Sequence, residues 1–229
     1  MYKLRMPFLY SVALLLLSAC ATTTQEVVNQ RLASIPETAR SYVIGTYAVD
    51  CTPRNTECFH AFNSISTYYR NVDDKEVRGR LNWTTGSVFG NDTTHDYILL
   101  DQREKGHYFC LALPAGKYEV YTYDFYNFAG GGSGYSIREE AQFKLPFAVP
   151  AGEVIDIGKL HITTSTGKNF FGMTLPAPGI LLLGKNTPEA RAAALSKCPL
   201  NVRSRSIRDA SLLAASQTTS SFVRYQAPR

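Results

Sequence analysis

The sequence predicts a mainly β protein, an antiparallel β-sandwich with a short helical cap at its C-terminal end. Three observations carry this expectation. Between residues 42 and 183 the chain is rich in Val, Ile, Tyr, Phe and Thr, and Gly, Pro, Asn or Asp punctuate it every 8 to 15 residues. Beyond Gly184 the texture turns Ala-rich and helical. The cysteines suit an oxidising compartment, where small β domains are stapled. A chain of 229 residues with 45% apolar content can bury a core without a metal. Its formal charge of +5 comes with no nucleic-acid motif, so nucleic acid is not an expected partner.

Residues 1–20 read MYKLRMPFLYSVALLLLSAC, with Lys3 and Arg5 ahead of an apolar run over 7–17. A positive segment followed by a short apolar one is signal-peptide architecture. The run is shorter than the roughly 20 residues that span a bilayer. Its end, Leu17-Ser18-Ala19-Cys20, resembles the lipobox of bacterial lipoproteins. The resemblance implies cleavage after residue 19, diacylation of the Cys20 thiol and acylation of the new amino group. Two or more lipid signals give stable attachment. Ala21, where inner-membrane retention favours Asp, implies the outer membrane and its periplasmic face. Loss of residues 1–19 removes Lys3 and Arg5 and no acid, leaving +3. Residues 20–40 are expected to supply the lipidated cysteine and a polar, flexible tether.

Cys51, Cys58, Cys110 and Cys198 remain, and four cysteines allow three pairings. Cys51 and Cys58 flank a Pro-Arg-Asn turn between apolar runs, so they can close a hairpin and leave Cys110 to Cys198. By chain entropy the short loop contributes about 2.5 kcal/mol and the long one about 4.6 kcal/mol. No CxxC or Cys/His spacing of a zinc site occurs.

The globular domain is expected over 41–184, with strands at 42–49, 58–69, 79–88, 97–101, 107–113, 118–128, 134–149, 154–163, 169–175 and 179–183. In the 107–113 strand Phe109, Leu111 and Leu113 alternate with Tyr108, Cys110 and Ala112, so both faces are expected to be covered. Residues 113–126, LPAGKYEVYTYDFY, and 147–162, FAVPAGEVIDIGKLHI, each place Pro-Ala-Gly before an alternating strand, where a hairpin turn is expected. Over about 105–165 this pair resembles transthyretin-like or carboxypeptidase-regulatory-like β-sandwich modules. The resemblance implies a structural or binding domain and supplies no catalytic residue.

Thr187-Pro188-Glu189 supplies an N-cap, a first-turn proline and an early acid, so a helix follows to about Lys197. Ser206 and Asp209 suggest a second helix. The segment 185–229 carries eight Lys and Arg against Glu189 and Asp209, and is expected to pack on the sandwich with an end frayed from about 217. Arg203, Arg205 and Arg208 follow Cys198 closely and are a candidate docking patch for an acidic partner or anionic headgroups.

Catalytic motifs are absent. Gly131-Gly132-Ser133-Gly134-Tyr135 lacks the last glycine of a nucleophile elbow and the Lys-Ser/Thr of a phosphate loop, and reads as a hairpin tip. Asp92, His95 and Asp96 are candidate cation ligands in a loop that also reads as a plain turn. His60, His107 and His161 lie far apart in sequence, and the acidic pairs Asp73-Asp74 and Glu139-Glu140 point to opposite faces if they lie on strands. The aromatic series from Tyr118 to Phe128 places Tyr121, Tyr123 and Phe125 on one strand face, which either lies under the C-terminal helix or presents a platform for a peptide or sugar ring. The function expected is a non-catalytic binding or scaffolding module, without cofactor, for a protein or cell-wall partner in the envelope, attached to the membrane through its lipid. The alternative is an envelope hydrolase of glycans or peptides with its site in the 92–96 loop.

Overall fold

The computed structural model describes residues 24–54, 57–84, 95–130, 133–138, 143–212 and 221–225. The signal segment, Cys20, Asp92, the Gly131-Gly132 pair, Glu139-Glu140 and most of the chain beyond 217 lie outside the described residues. The elements are α1 (Thr24–Ala33), β1 (Ser41–Asp50), β2 (Thr52–Arg54), β3 (Glu57–Phe59), β4 (Ser64–Asn71), β5 (Arg78–Thr84), β6 (Tyr97–Leu99), β7 (Glu104–Leu113), β8 (Gly116–Gly130), β9 (Ser133–Arg138), β10 (Leu145–Val149), β11 (Val154–Lys168), β12 (Thr174–Gly184), α2 (Pro188–Ser196), β13 (Ile207–Asp209) and β14 (Val223–Tyr225).

These strands form a sandwich. One sheet runs β14-β12-β11-β1-β7-β6, with β13 beside β11, and the other runs β10-β8-β4-β5, with β9 beside β8. Most pairings are antiparallel. Three are parallel: β1 with β11, β11 with β13, and β12 with β14. The first arises because β1 enters the sheet between β7 and β11, strands remote from it in sequence, where no hairpin dictates direction. A Cβ at Gly158 would strike the Gly184 carbonyl, and the residue has a φ of +89°, so glycine is required where β11 carries the extra residue of its bulge against β1.

Neither Pro-Ala-Gly turn closes a hairpin. The turn at 114–116 carries the chain from β7 in the first sheet to β8 in the second, and the turn at 150–152 brings it back from β10 to β11. The Tyr118 hydroxyl donates to the Pro114 carbonyl at 2.8 Å and fixes the first corner. Between the sheets Tyr47, Ile65, Trp83, Tyr118, Tyr123, Phe125, Leu145 and Ile155 are fully buried. The Tyr47 hydroxyl spans the layers to Thr67 at 2.9 Å.

Residues from Thr24 on are not a tether. Val28 and Leu32, one helical turn apart on α1, are buried in the main core, and α1 lies against β5 and β7, covering one open side of the sandwich. Arg31 pairs with Asp74 of the β4–β5 turn at 3.0 Å. The composition of 20–40 reads as polar because only one stripe of this helix is apolar.

Both expected disulfides are formed, Cys51–Cys58 across β2–β3 and Cys110–Cys198 between β7 and the end of α2. Inside the first hairpin's mouth the Lys105 ammonium lies 4.7 Å from the Trp83 ring centre and donates to the Cys58 carbonyl at 2.7 Å. The Thr187 hydroxyl caps α2 by accepting from the Ala190 N–H, with Pro188 in the first turn, as the sequence implies. Ala194, Cys198 and Val202 then cover Tyr42, Ile44 and Val154 on the outer face of the first sheet. The second expected helix is instead strand β13, because its residues complete the free edge of β11 next to β12. Among the described residues no helix is long and apolar enough to cross a membrane.

Leu32→Ala is expected to lower the unfolding free energy by about 2–4 kcal/mol, the usual cost of emptying a core site. Chemical denaturation of the two chains checks this; equal stability would return residues 24–33 to the status of a tether.

Candidate interaction surface

The two sheets differ in what covers their outer faces. That of the first sheet carries α2, its disulfide and two polar networks. In one, the buried Asp156 carboxylate accepts from Asn186 at 2.7 Å, Arg191 at 2.8 Å and the Gly158 N–H at 2.9 Å. Thr46 donates to Asn186 at 2.7 Å and joins this network to β1. In the other, buried Glu104 accepts from Lys159 at 2.6 Å and from the Tyr97 hydroxyl at 2.8 Å, with His161 at 3.5 Å. Burial, followed by the Glu104 charge, pushes the Tyr97 phenol far above its ordinary value. These charges are paired within the fold and hold α2 and β6 to the sheet.

Among the described residues no helix lies on the outer face of the second sheet. Serine and asparagine from β4 and β5 occupy one part, where Ser64 and Ser66 both donate to Asn82. Arginine and tyrosine occupy the rest. The Arg70 guanidinium bonds Glu119 at 2.6 Å and lies 4.2 Å from the Tyr121 ring centre. Arg138 of β9 bonds Asp124 at 3.3 Å and lies 5.2 Å from the Tyr68 ring centre, while the Tyr68 hydroxyl donates to Asp124 at 2.7 Å. Burial first, and then the Asp124 carboxylate, raise the Tyr68 phenol. Arg78 and Arg80 are exposed on the neighbouring strand. Further along β8, Tyr126 and Phe128 extend the surface with large exposed rings.

A bulge decides which aromatics reach this face. Tyr68 pairs with Thr122 but Tyr69 pairs with Val120, leaving Tyr121 as the extra residue. Strict alternation puts Tyr121, Tyr123 and Phe125 together, opposite Tyr118 and Val120. The extra residue reverses the alternation, so Tyr118, Val120, Tyr123 and Phe125 all face the core and Tyr121, Tyr126 and Phe128 face out. Of the three residues expected to meet a partner, Tyr121 is on the open face and Tyr123 and Phe125 are core. Nor does α2 cover β8: Cys110 lies in the other sheet, so its disulfide draws the helix to β1 and β7. The sequence signal for Tyr126 and Phe128 was their aromatic type alone.

The C-terminal arginines are engaged in the fold. Arg205 donates to the carbonyls of Arg40 at 2.8 Å, Thr38 at 2.9 Å and Gly152 at 3.2 Å, and its guanidinium lies 5.7 Å from the Tyr42 ring centre. It ties the segment before β1 to the C-terminal segment. Arg203 donates to the Cys198 carbonyl at 2.8 Å, and Arg208 approaches Glu153 at 3.4 Å, beside a shallow depression also lined by Gly152, Ser206 and Ile207. Of the expected docking patch, Arg205 is a structural clamp, while Arg203 and Arg208 remain exposed beside it.

The Asp96 carboxylate accepts from Lys197 at 2.6 Å and from the Tyr108 N–H at 2.8 Å, so it fastens the end of α2 to the approach of β6. Among the described residues no three His, Cys, Asp or Glu side chains converge as metal donors. His107 and His161 lie in strands and His60 just beyond β3, and they keep separate company: His60 lies against Trp83 at 4.7 Å, His107 against Tyr47 at 5.6 Å, and His161 beside Glu104.

No protein-family model matches the chain, and no curated protein does. A solved leucine-rich repeat protein from Bacteroides thetaiotaomicron VPI-5482 matches with 14% identity over 56% of this chain and 14% of its own, at a TM-score of 0.32. At that similarity it carries no argument about fold or function.

Burial would raise the Asp96 carboxyl, but the Lys197 bond and the Tyr108 N–H outweigh it and hold the carboxyl below its usual value. A carboxyl depressed by folding stabilises the protein above its unfolded pKa and loses that contribution as pH falls through the lower folded value. Asp96→Asn is therefore expected to lower the melting temperature slightly at neutral pH, with the difference fading below about pH 4. Melts across that range check it; a gap independent of pH would refute it.

Proposed function

We propose that this chain is a lipid-anchored protein of the bacterial outer membrane and acts as a non-catalytic binding or scaffolding module, holding a protein or cell-wall partner against the outer face of β4, β5, β8 and β9. The support for the anchor is the n-region, apolar run and Leu-Ser-Ala-Cys ending of residues 1–20. The two Pro-Ala-Gly segments that resemble transthyretin-like modules lie at the crossovers of the sandwich, and the module reading is part of the same proposal.

The observation that carries the binding reading is the asymmetry of the two outer faces. One is closed by α2, a disulfide and buried ion pairs. The other presents arginines already held on tyrosine rings, beside exposed Tyr126 and Phe128. Arginine and aromatic side chains dominate binding hot spots, and a guanidinium fixed before binding loses little freedom on contact. A planar ring can equally stack on a sugar.

Two measurements test the proposal. Cys20→Ser should abolish metabolic labelling with an alkyne fatty acid; persistent labelling would remove the assigned lipid site. Tyr126→Ser with Phe128→Ser should leave the melting temperature intact and lower both co-sedimentation with isolated cell-wall sacculi and photo-crosslinking from exposed position 136, which pairs with Tyr126. If the double variant matches the parent in both, the face is not the binding surface.

A further inference from the structure

The β11–β12 hairpin ends in a feature that neither the core nor the open face explains. Residues 154–162 of β11 are core, but 165–168 are exposed, as are Thr174 and Leu175 of β12, so the hairpin runs out of the sandwich by about 15 Å. The sequence reads 169–175 as a strand. Instead, 169–173 form a built turn. The Asn169 side chain accepts from the N–H groups of Phe171 at 3.0 Å and Met173 at 2.9 Å, Asn169 N–H donates to the Met173 carbonyl at 3.0 Å, and Gly172 sits at a φ of +78°. This turn points Phe170 and Phe171 outward at 97% and 80% exposure, with Met173 and Leu175 beside them. The two rings meet edge to face at 5.5 Å.

We propose that this apex is a membrane-contact element, with Phe170, Phe171 and Met173 seated at the headgroup–acyl boundary of an anionic bilayer. Each fully buried Phe or Met is worth roughly 1.5–3 kcal/mol, so an ordered turn that holds three of them in water calls for an apolar medium.

Three observations select the bilayer over a protein. The large exposed apolar side chains Phe170, Phe171, Met173 and Leu175 cluster at the apex end of the hairpin and are flanked by exposed Ser165, Thr166, Lys168 and Thr174 on the stem, the division of an interfacial contact. From 157 to 188 the chain carries no acid, and exposed Lys168 immediately precedes the turn, a charge complementary to anionic headgroups, while Lys159 is paired with Glu104 at the sandwich end. Pro176 and Pro178, two residues apart on β12, remove donors from that edge and oppose strand addition by a peptide.

A contact of this size is weak alone. In a chain already held at the membrane it needs only to fix orientation, because tethering raises the effective concentration of the apex at the lipid surface. The role rests on the envelope location proposed above. The lipid contact itself does not, and a chain beginning at Ala21 separates the two.

The test uses that chain with vesicles of phosphatidylcholine, alone or mixed with phosphatidylglycerol. Phe171→Trp is expected to show blue-shifted emission with the anionic vesicles and quenching by brominated acyl chains. Trp83, buried in the core, gives a constant background that the unsubstituted chain measures. Phe170→Ser with Phe171→Ser should lower partitioning by about tenfold or more. Lys168→Gln should lower it at low salt only. Both phenylalanines are exposed, so unchanged melting will show the variants folded. No blue shift, or equal partitioning of the double serine variant, overturns the proposal. So does a Phe171-dependent crosslink to an envelope protein without vesicle binding. Vesicle binding by a chain whose Cys20 is found unlipidated in cells would uphold the apex and refute the anchor.

Discussion

The rest of the structure depends on a constraint set by β1. Nine consecutive residues of this strand, 41–49, are buried, so both of its faces need cover. Tyr47 and Val49 meet the second sheet, and Tyr42 and Ile44 face the other way, toward α2. Its two neighbours, antiparallel β7 and parallel β11, come from distant parts of the chain. Placing it therefore brings together the start, the middle and the end of the domain. Arg205 shows the same logic at the strand's entrance, where one guanidinium satisfies carbonyls of the segment before β1 and of the turn before β11. Such a centre closes long loops before it gains contacts, which is the entropic reason for stapling the covering helix to β7 through Cys110–Cys198.

Covering β1 on both sides makes the molecule asymmetric. The first sheet becomes the middle of three layers, and the second sheet remains the outermost layer, with a solvent face. On the inner layer buried charges are matched closely, as in Asp156 with Arg191 and Glu104 with Lys159. Such pairs gain little net stability over apolar packing but disfavour any arrangement that leaves one partner alone. They specify where α2 and β6 sit. On the outer layer the ion pairs are partly exposed and stacked on rings, so their donors and aromatic edges stay within reach of a partner.

Both long hairpins carry large exposed apolar side chains toward their far ends. The β8–β9 hairpin carries Tyr126, Phe128, Tyr135 and Ile137, and the β11–β12 hairpin carries Phe170, Phe171, Met173 and Leu175. The first continues a sheet face rich in arginine. The second rises alone on an acid-free stem. The two surfaces therefore differ in chemistry, one an arginine–tyrosine face and the other an apolar apex.

Local chemistry in the sequence determined the features that depend on a few neighbouring residues. The alternation of β7 placed Phe109, Leu111 and Leu113 opposite Tyr108, Cys110 and Ala112; the first set meets the core between the sheets, and Tyr108 and Cys110 meet the cluster under α2. Thr187-Pro188 started the helix where a cap and a first-turn proline must start one, and cysteine spacing selected the two bridges. The tertiary structure decided what depends on partners far along the chain. It converted the Pro-Ala-Gly turns into crossovers and Ser206 onward into a strand, since an unfilled edge of β11 outweighs weak helical periodicity. It drew α1 from an apparent tether into the core, because two apolar residues in a polar segment matter only when a cleft is there to receive them. Above all, one extra residue at Tyr121 exchanged the core and solvent sides of β8. Period-two alternation cannot reveal a bulge, because the bulge exists only through its pairing with β4.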